Sequence, residues 1–327
     1  MRCTNKRTTN ILWMLLIVSF FLTGCSKQTI KMEYNPDYPV SSYRIVNKNS
    51  LEVADSFASN LCVTASDVMT DTSVNMGATA AGLFNINTGE VIYAKNIHST
   101  LYPASLTKIM TALVALKYGN MEDVIIASPN VKINEVGAQV CGLKEGDQLT
   151  LDQALHALLI HSANDAGILI AEHIGGSVEG FAEMMNEEAL LLGATKSHFV
   201  NPHGLSEDNH YITAYDLYLI FNEAINYDLF NEIIHMNSYS TVYTDKNGKP
   251  VDMSFKTTNL FLNGTYDAPE KVTVIGGKTG TTNAAGNCLI LLTKDISGNP
   301  FISVILCSKE RAIIYSEMTD LLDEIYN

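Results

Sequence analysis

The sequence predicts an α+β fold in which strands from both ends of the chain build one antiparallel sheet beside a helical lobe. Three observations carry this. Apolar, strand-like runs at 78–84 and 91–95 flank the turn segment Asn85-Ile86-Asn87-Thr88-Gly89-Glu90. Capped helical stretches fill the middle of the chain. Strand-like runs then return at 271–275, around Lys278, at 287–293 and at 301–308.

Taken in order, residues 26–50 are polar and rich in Pro and Ser, and read as a tether. Residues 51–76 are ambiguous and add either a helix or a strand. After the hairpin, Pro103 opens a run of good helix formers, 104–118, which Gly119 ends. Thr150 with Gln153 forms a capping box for a helix through Leu159. Further helices span 164–174, closed by Gly175-Gly176, and 178–192, closed by Gly193. Met184, Met185 and 190–192 read as core. Thr213 with Asp216 opens another helix, and an amphipathic stretch, 312–326, closes the chain as a helix. There are no internal repeats or low-complexity tracts.

Three short motifs fall in one order: Ser105-Leu106-Thr107-Lys108, Ser162-Ala163-Asn164 and Lys278-Thr279-Gly280. Taken singly they are weak. S-x-N also occurs at Ser73, Ser128 and Ser297, and a chain of this size holds about one S-x-x-K by chance. Together they supply the parts of an acyl-transfer site. Spacing i, i+3 puts the Ser105 hydroxyl and the Lys108 amine on one helical face. A lysine held away from water loses its proton near neutral pH and serves as a base. The second motif adds a hydroxyl and an amide; the third adds a cation beside a hydroxyl and a glycine. This set is the pattern of penicillin-recognising serine enzymes.

Longer strings carry a family resemblance. Tyr102-Pro103-Ala104-Ser105-Leu106-Thr107-Lys108-Ile109-Met110-Thr111-Ala112 resembles the active-site segment of the D-alanyl-D-alanine carboxypeptidases, the low-molecular-mass penicillin-binding proteins. His161-Ser162-Ala163-Asn164-Asp165-Ala166, Asn201-Pro202-His203-Gly204-Leu205, Thr257-Thr258-Asn259-Leu260 and Gly276-Gly277-Lys278-Thr279-Gly280-Thr281-Thr282 resemble their other signatures. The likeness runs from about Gly77 to the C-terminus. It implies the β-lactamase/penicillin-binding transpeptidase-like fold, an antiparallel sheet flanked by helices with the site between sheet and helical subdomain.

The resemblance also implies roles. Ser105 is expected to attack the carbonyl of the penultimate D-alanine of a peptidoglycan stem peptide, with Lys108 as its base. Ser162 is expected to relay a proton toward the leaving amine, and Asn164 to bind the substrate amide and fix Lys108. Lys278 supplies positive charge beside Ser162, and the hydroxyls of Thr279 and Thr282 meet the substrate carboxylate. The backbone N–H groups of Ser105 and Thr281 form the oxyanion hole. Gly277 and Gly280 leave the strand edge open to an extended peptide. No cofactor or metal is implied. Of the neighbouring polar residues, His161 reads as a helix-end residue, His203 as a loop stabiliser and Asp165 as a helix cap.

At the N-terminus Arg2, Lys6 and Arg7 precede an apolar run, 11–22, too short for a comfortable membrane span and typical of a secretory signal. It ends in Leu22-Thr23-Gly24-Cys25, which resembles a bacterial lipobox; that likeness implies cleavage before Cys25 and a lipid on it. An uncleaved anchor is the alternative. The expected organisation is a signal peptide at 1–24, a lipidated tether at 25–60 and a catalytic domain at 61–327. No C-terminal β-rich domain or amphipathic membrane helix is expected after 327, so anchoring is expected to fall to Cys25, outside the cytoplasm of a bacterium and on a Gram-positive surface. The net charge of −14 disfavours nucleic acid and anionic lipid as partners. Beyond Cys3 and Cys25, four cysteines remain: Cys62, Cys141, Cys288 and Cys307. None has metal-site spacing. Cys288 and Cys307 flank a hairpin and are either free thiols or a disulfide.

Three rival functions share the motifs. A β-lactamase needs a glutamate that activates water, and the Glu-x-x-Leu-Asn string that carries it is absent between Ser162 and Lys278. β-Lactams are therefore expected to acylate Ser105 and leave slowly. A non-hydrolytic penicillin-binding sensor would keep the pocket without the chemistry, and a transpeptidase would use an amine as acceptor in place of water.

Overall fold

The computed structural model describes residues 58, 60–69, 74 and 76–326, all within the compact unit Phe57–Asn327. The expected signal peptide, Cys25 and nearly all of the tether lie outside the described residues. The sheet of both chain ends forms as expected. Strands β1 (Ala80–Asn85) and β2 (Glu90–Lys95) make the N-terminal hairpin. The Asn85 side chain accepts the backbone N–H groups of Asn87 and Thr88, both at 3.1 Å, and Gly89 takes φ +76°, so the turn residues select the turn.

The helical part opens with α1 (Thr107–Tyr118), preceded by a 3₁₀ turn over Ala104–Leu106. Strands β3 (Val124–Ile126) and β4 (Gln148–Thr150) lead into α2 (Leu151–Ile160), where the Thr150/Gln153 capping box is present. Helix α3 (Asn164–Gly175) stops at Gly176, which adopts φ +73°. Helices α4 (Val178–Leu191), α5 (Ala214–Ala224) and α6 (Asp228–His235) follow. In α4, Met185 and Ala189 face the core, whereas Leu190 and Leu191 are 65% and 73% exposed. The expected core run at 190–192 is therefore only half-buried at its end, because one apolar stripe of the helix cannot include successive positions on its far side.

Strands β5 (Ser238–Thr244) and β6 (Pro250–Lys256) form a hairpin that joins β3 and β4 in a second sheet, ordered β3-β4-β5-β6. The helical lobe thus carries a sheet of its own, contrary to expectation. Its hairpin rests on α2: Gln153 donates to the Thr241 hydroxyl at 2.7 Å, and His156 stacks on Tyr239. The expected separate strands at 271–275 and around Lys278 are one strand, β7 (Thr273–Thr282), with a bulge between Val274 and Gly276. Strands β8 (Gly286–Lys294) and β9 (Pro300–Ser308) complete the main sheet, and α7 (Arg311–Asp323) packs back on it.

The main sheet is antiparallel throughout, in the order β2-β1-β9-β8-β7. Period-two alternation splits its side chains between two apolar layers. Ile290, Leu292, Ile302 and Val304 meet the large core with α1 and α5; Leu289, Leu291, Phe301 and Ile305 meet Ile314, Met318 and Leu321 of α7. This leaves the outer edge of β7 free, next to the 3₁₀ turn that carries Ser105. The ambiguous segment 51–76 contributes, among the described residues, one bridge, Val68 to Ala94. Cys288 and Cys307 are unpaired thiols, Cys288 buried and Cys307 half-buried.

Candidate active site

Ser105 lies in the 3₁₀ turn, not in the α-helix that the sequence predicts to begin there, and Lys108 sits in the first turn of α1. Lys108 is wholly buried. Its Nζ lies 2.9 Å from Ser105 Oγ, 2.7 Å from Asn164 Oδ1 and 2.6 Å from the His203 carbonyl oxygen. A neutral amine has two N–H bonds and one lone pair. The amide and carbonyl oxygens can only accept, so they take the two hydrogens and leave the lone pair for the Ser105 hydroxyl. Burial pushes the Lys108 pKa well below the ordinary lysine value; repulsion from Lys278 adds to this and Asp165 opposes it.

Ser162 joins α2 to α3 with φ +62°, a backbone conformation serine rarely adopts, and its Oγ accepts from Lys278 Nζ at 3.0 Å. Lys278 also donates to the Thr279 carbonyl at 2.9 Å. Burial lowers its pKa to about 7. Two buried amines therefore face the two hydroxyls, Lys108 at Ser105 and Lys278 at Ser162.

Along β7, Thr279 shares a 2.6 Å hydrogen bond with Thr258, and Thr282 one of 2.9 Å with Ser206. The Thr281 hydroxyl donates to Asn287 Oδ1 at 3.1 Å. Gly280 lets the strand approach the 3₁₀ turn: a Cβ there would stand 3.0 Å from Ser105 N. A cavity of about 430 Å³ opens between these elements, and Ser105, Ser162, Asn164, Thr279–Thr282 and Arg311 line it. Every site residue the sequence singled out in the described part of the chain thus stands in or directly behind one cleft.

The neighbouring polar residues divide. His203 supports the site through its backbone carbonyl, while its ring accepts the Leu205 N–H at 3.2 Å. Burial and the Lys108 charge lower its pKa to about 3. His161 stacks on Phe255 and contacts Gln139. Asp165 does more than cap a helix. Its buried carboxylate accepts the N–H groups of Cys141, Gly142, Leu143 and Ala166 at 2.8–3.0 Å, pinning a loop whose neighbouring residues 135–139 line the cavity. Asp165→Ala would leave these donors unpaired, so we expect a loss of about 3–4 kcal/mol in urea unfolding; a loss below about 1 kcal/mol would contradict the clamp.

Three contributors had no motif to reveal them. Arg311 enters from α7, with its guanidinium donating to the Thr258 carbonyl at 3.4 Å. Ser206 and the loop 135–139 arrive from segments without periodicity. A lone arginine opening the last helix was the one signal available for Arg311.

The family model described as D-alanyl-D-alanine carboxypeptidase, peptidase family S11, matches residues 67–310. The chain belongs to this family. DacF of Bacillus subtilis, a D-alanyl-D-alanine carboxypeptidase, is 34% identical over 229 residues, 66% of this chain and 54% of DacF. DacA of Haemophilus influenzae, of the same description, is 31% identical over 230 residues, 68% of this chain and 55% of DacA. The chain spans about half the length of these S11 relatives. Among solved structures, the Streptomyces K15 DD-transpeptidase superposes with a TM-score of 0.71 at 27% identity, covering 79% of this chain and 98% of that one. A D-alanyl-D-alanine carboxypeptidase from Mycobacterium tuberculosis gives 0.68 at 26% identity, covering 78% and 93%. The S11 fold, an α+β penicillin-binding architecture, is thus shared across the whole cleft-bearing region.

Proposed function

We propose that this chain is a serine D,D-carboxypeptidase that removes the terminal D-alanine from peptidoglycan stem pentapeptides through an acyl-enzyme on Ser105. One observation carries the reading: the buried Lys108 amine, held by two acceptors, aims its remaining valence at the Ser105 hydroxyl. Ser105 Oγ adds to the penultimate D-alanine carbonyl and its proton passes to Lys108 Nζ. The N–H groups of Ser105 and Thr281 stabilise the resulting oxyanion. The C–N bond then breaks; the departing D-alanine amine takes the proton held by Lys108, relayed through Ser162, which leaves Lys108 neutral and an ester on Ser105. Water adds to the ester and gives a proton to Lys108, the Oγ–C bond breaks, Lys108 returns that proton to Ser105 Oγ, and the shortened peptide leaves. β-Lactams would enter the first half of this sequence and stall before the second.

Asn164 would hold the substrate amide while fixing Lys108. Lys278, Thr279 and Thr282 would receive the terminal carboxylate, and Arg311 would supply a permanent charge beside them. Replacing Arg311 with leucine should raise KM about tenfold or more with a smaller change in kcat, since a hydrogen bond to a charged group is worth about 1.5–3 kcal/mol. An unchanged KM in steady-state assays would remove Arg311 from the carboxylate site.

The two lysines give the reaction a pH signature. Lys108 acts when neutral, so kcat/KM rises with pH as it loses its proton, below the ordinary lysine range. Lys278 acts when charged, so kcat/KM falls as pH passes about 7. A bound carboxylate raises the Lys278 pKa, so the falling limb of kcat lies at higher pH than that of kcat/KM. A profile still rising at pH 9 in both parameters would show that neutral Lys278 suffices.

Mass spectrometry of free D-alanine and truncated peptide, after incubation with a wall pentapeptide, tests the reading directly. Release by the enzyme and none by Ser105→Ala supports it. No release with penicillin still attached to Ser105 moves the reading to a transpeptidase or sensor, and the likeness to the Streptomyces K15 DD-transpeptidase makes an amine acceptor the assay to run next. We also propose that the mature protein begins at a lipidated Cys25 and works outside the cytoplasm, tethered by residues 25–60. The lipobox-like Leu22-Thr23-Gly24-Cys25 supports this. Cys25→Ser should abolish palmitate labelling and release the protein from the membrane fraction; labelling that persists would locate the lipid elsewhere.

A further inference from the structure

We propose that His210 is a positioning residue for the oxyanion site: through the Thr107 hydroxyl it fixes the peptide unit between Ala104 and Ser105, and so aims the Ser105 N–H. The inference rests on the reading of Ser105 as nucleophile. His210 and Thr107 are both wholly buried. The Val200 N–H donates to His210 Nδ1 at 3.1 Å, so the ring proton of the neutral imidazole sits on Nε2. Nε2–H then donates to Thr107 Oγ1 at 2.8 Å, and the Thr107 hydroxyl donates to the Ala104 carbonyl oxygen at 2.9 Å. The direction of every hydrogen in this chain is determined, and the Thr107 backbone N–H donates to the same Ala104 oxygen, so Thr107 holds that carbonyl by two bonds, of which His210 orients the hydroxyl one.

The C=O and N–H of a planar trans peptide point in opposite directions. Anchoring the Ala104 oxygen therefore sets where the Ser105 N–H points. That peptide needs an anchor, because Ala104 holds φ +48°, which alanine rarely adopts. Gly204 backs the same carbonyl so closely that a Cβ would lie 1.8 Å from its oxygen. On the opposite side, the Ser105 nitrogen faces Gly280 of β7, the wall of the cleft. Burial, with repulsion from His198 and Lys108, lowers the His210 pKa to about 4, so the ring stays neutral and its tautomer stays fixed at neutral pH.

The test uses benzylpenicillin acylation of Ser105 by the whole chain, resolved into the dissociation constant of the non-covalent complex and the acylation rate constant. His210→Phe keeps an aromatic ring against Phe199, whose ring centroid lies 5.7 Å away, but loses both hydrogen bonds. Thr107→Val removes the middle hydroxyl. Each should slow acylation about 10- to 100-fold, less than outright loss of an oxyanion donor, with the dissociation constant changed by less than about twofold. His210→Gln and Thr107→Ser, which keep a donor and a hydroxyl, should recover most of that rate. The double variant should be no slower than the slower single one, because the two residues act as a unit. Folded single variants acylated within about twofold of the parent, or a double variant slowed by the product of the two effects, would overturn the relay. If His210→Phe fails to fold, the Thr107→Val and Thr107→Ser pair decides alone. A parent chain that forms no penicillin adduct sinks the functional reading, and this inference with it.

Discussion

Lys108→Met is expected to slow acylation of Ser105 by about 10²–10⁴-fold, the range that a positioned general base contributes. Methionine fills nearly the same volume and removes the lone pair. It also leaves Asn164 Oδ1 and the His203 carbonyl without their shared donor, which costs about 1–3 kcal/mol per unpaired group. Against this, the variant no longer has to bury an amine. The melting temperature should therefore move far less than the rate. Lys108→Arg separates two meanings of the result. Arginine keeps a cation but cannot lose its proton at any working pH, so it should be as inactive as the methionine variant. Mass-spectrometric time courses of the penicillin adduct measure both. An arginine variant within tenfold of the parent would mean that position 108 supplies charge and not a base.

Gly204→Ala should be the most damaging added methyl among the glycines of the described residues. The new Cβ would stand 1.8 Å from the Ala104 carbonyl oxygen and 2.7 Å from Thr107 Oγ1, at a backbone φ of +85°. Neither obstacle is a flexible side-chain end: one is backbone and the other is held in place by hydrogen bonds to Ala104 and His210. Overpacking and left-handed strain together predict a loss of about 2–4 kcal/mol. Any relief must displace the peptide that precedes Ser105, so activity falls further than stability, by about 100-fold in the fraction that folds. Thermal unfolding and acylation of the same sample check both halves. A variant of normal stability and normal rate would show that the 204–205 loop yields without moving Ala104.

What the sequence discloses about this fold follows the range of the forces involved. The hairpin at 80–95, the Thr150/Gln153 capping box and the glycine helix ends are local, decided by residues within a few positions of each other. The β5–β6 hairpin is local too, with Tyr239, Thr241 and Tyr243 alternating against exposed neighbours before the turn Asp245-Lys246-Asn247-Gly248. Its weak hydrophobicity hides it, because its buried side rests on a single helix. The three motifs are legible because each is contiguous and their order is diagnostic. Arg311 and His210 are not: one reaches the cleft from the last helix, and the other acts through a residue 103 positions away. Ser105 in a 3₁₀ turn is a case of packing overruling propensity, since Gly204 and Gly280 press on that turn from two sides.

The main sheet also sets a timetable. The first strands of the domain bond to the last: β1 lies between β2 and β9, and the Glu317 carboxylate on α7 accepts the N–H of Gly77, 240 residues away. Contacts of such sequence separation form late and slowly, because the loop entropy is lost before they repay it. A nascent chain emerging from the ribosome carries the Ser105–Lys108 segment long before β7 to β9 exist to pair with β1. Until the C-terminal strands arrive there is no cleft, no lowered lysine pKa and nothing for an antibiotic to acylate. Activity should therefore switch on in one step at the end of folding, and a chain cut before β9 should be inert at every stage.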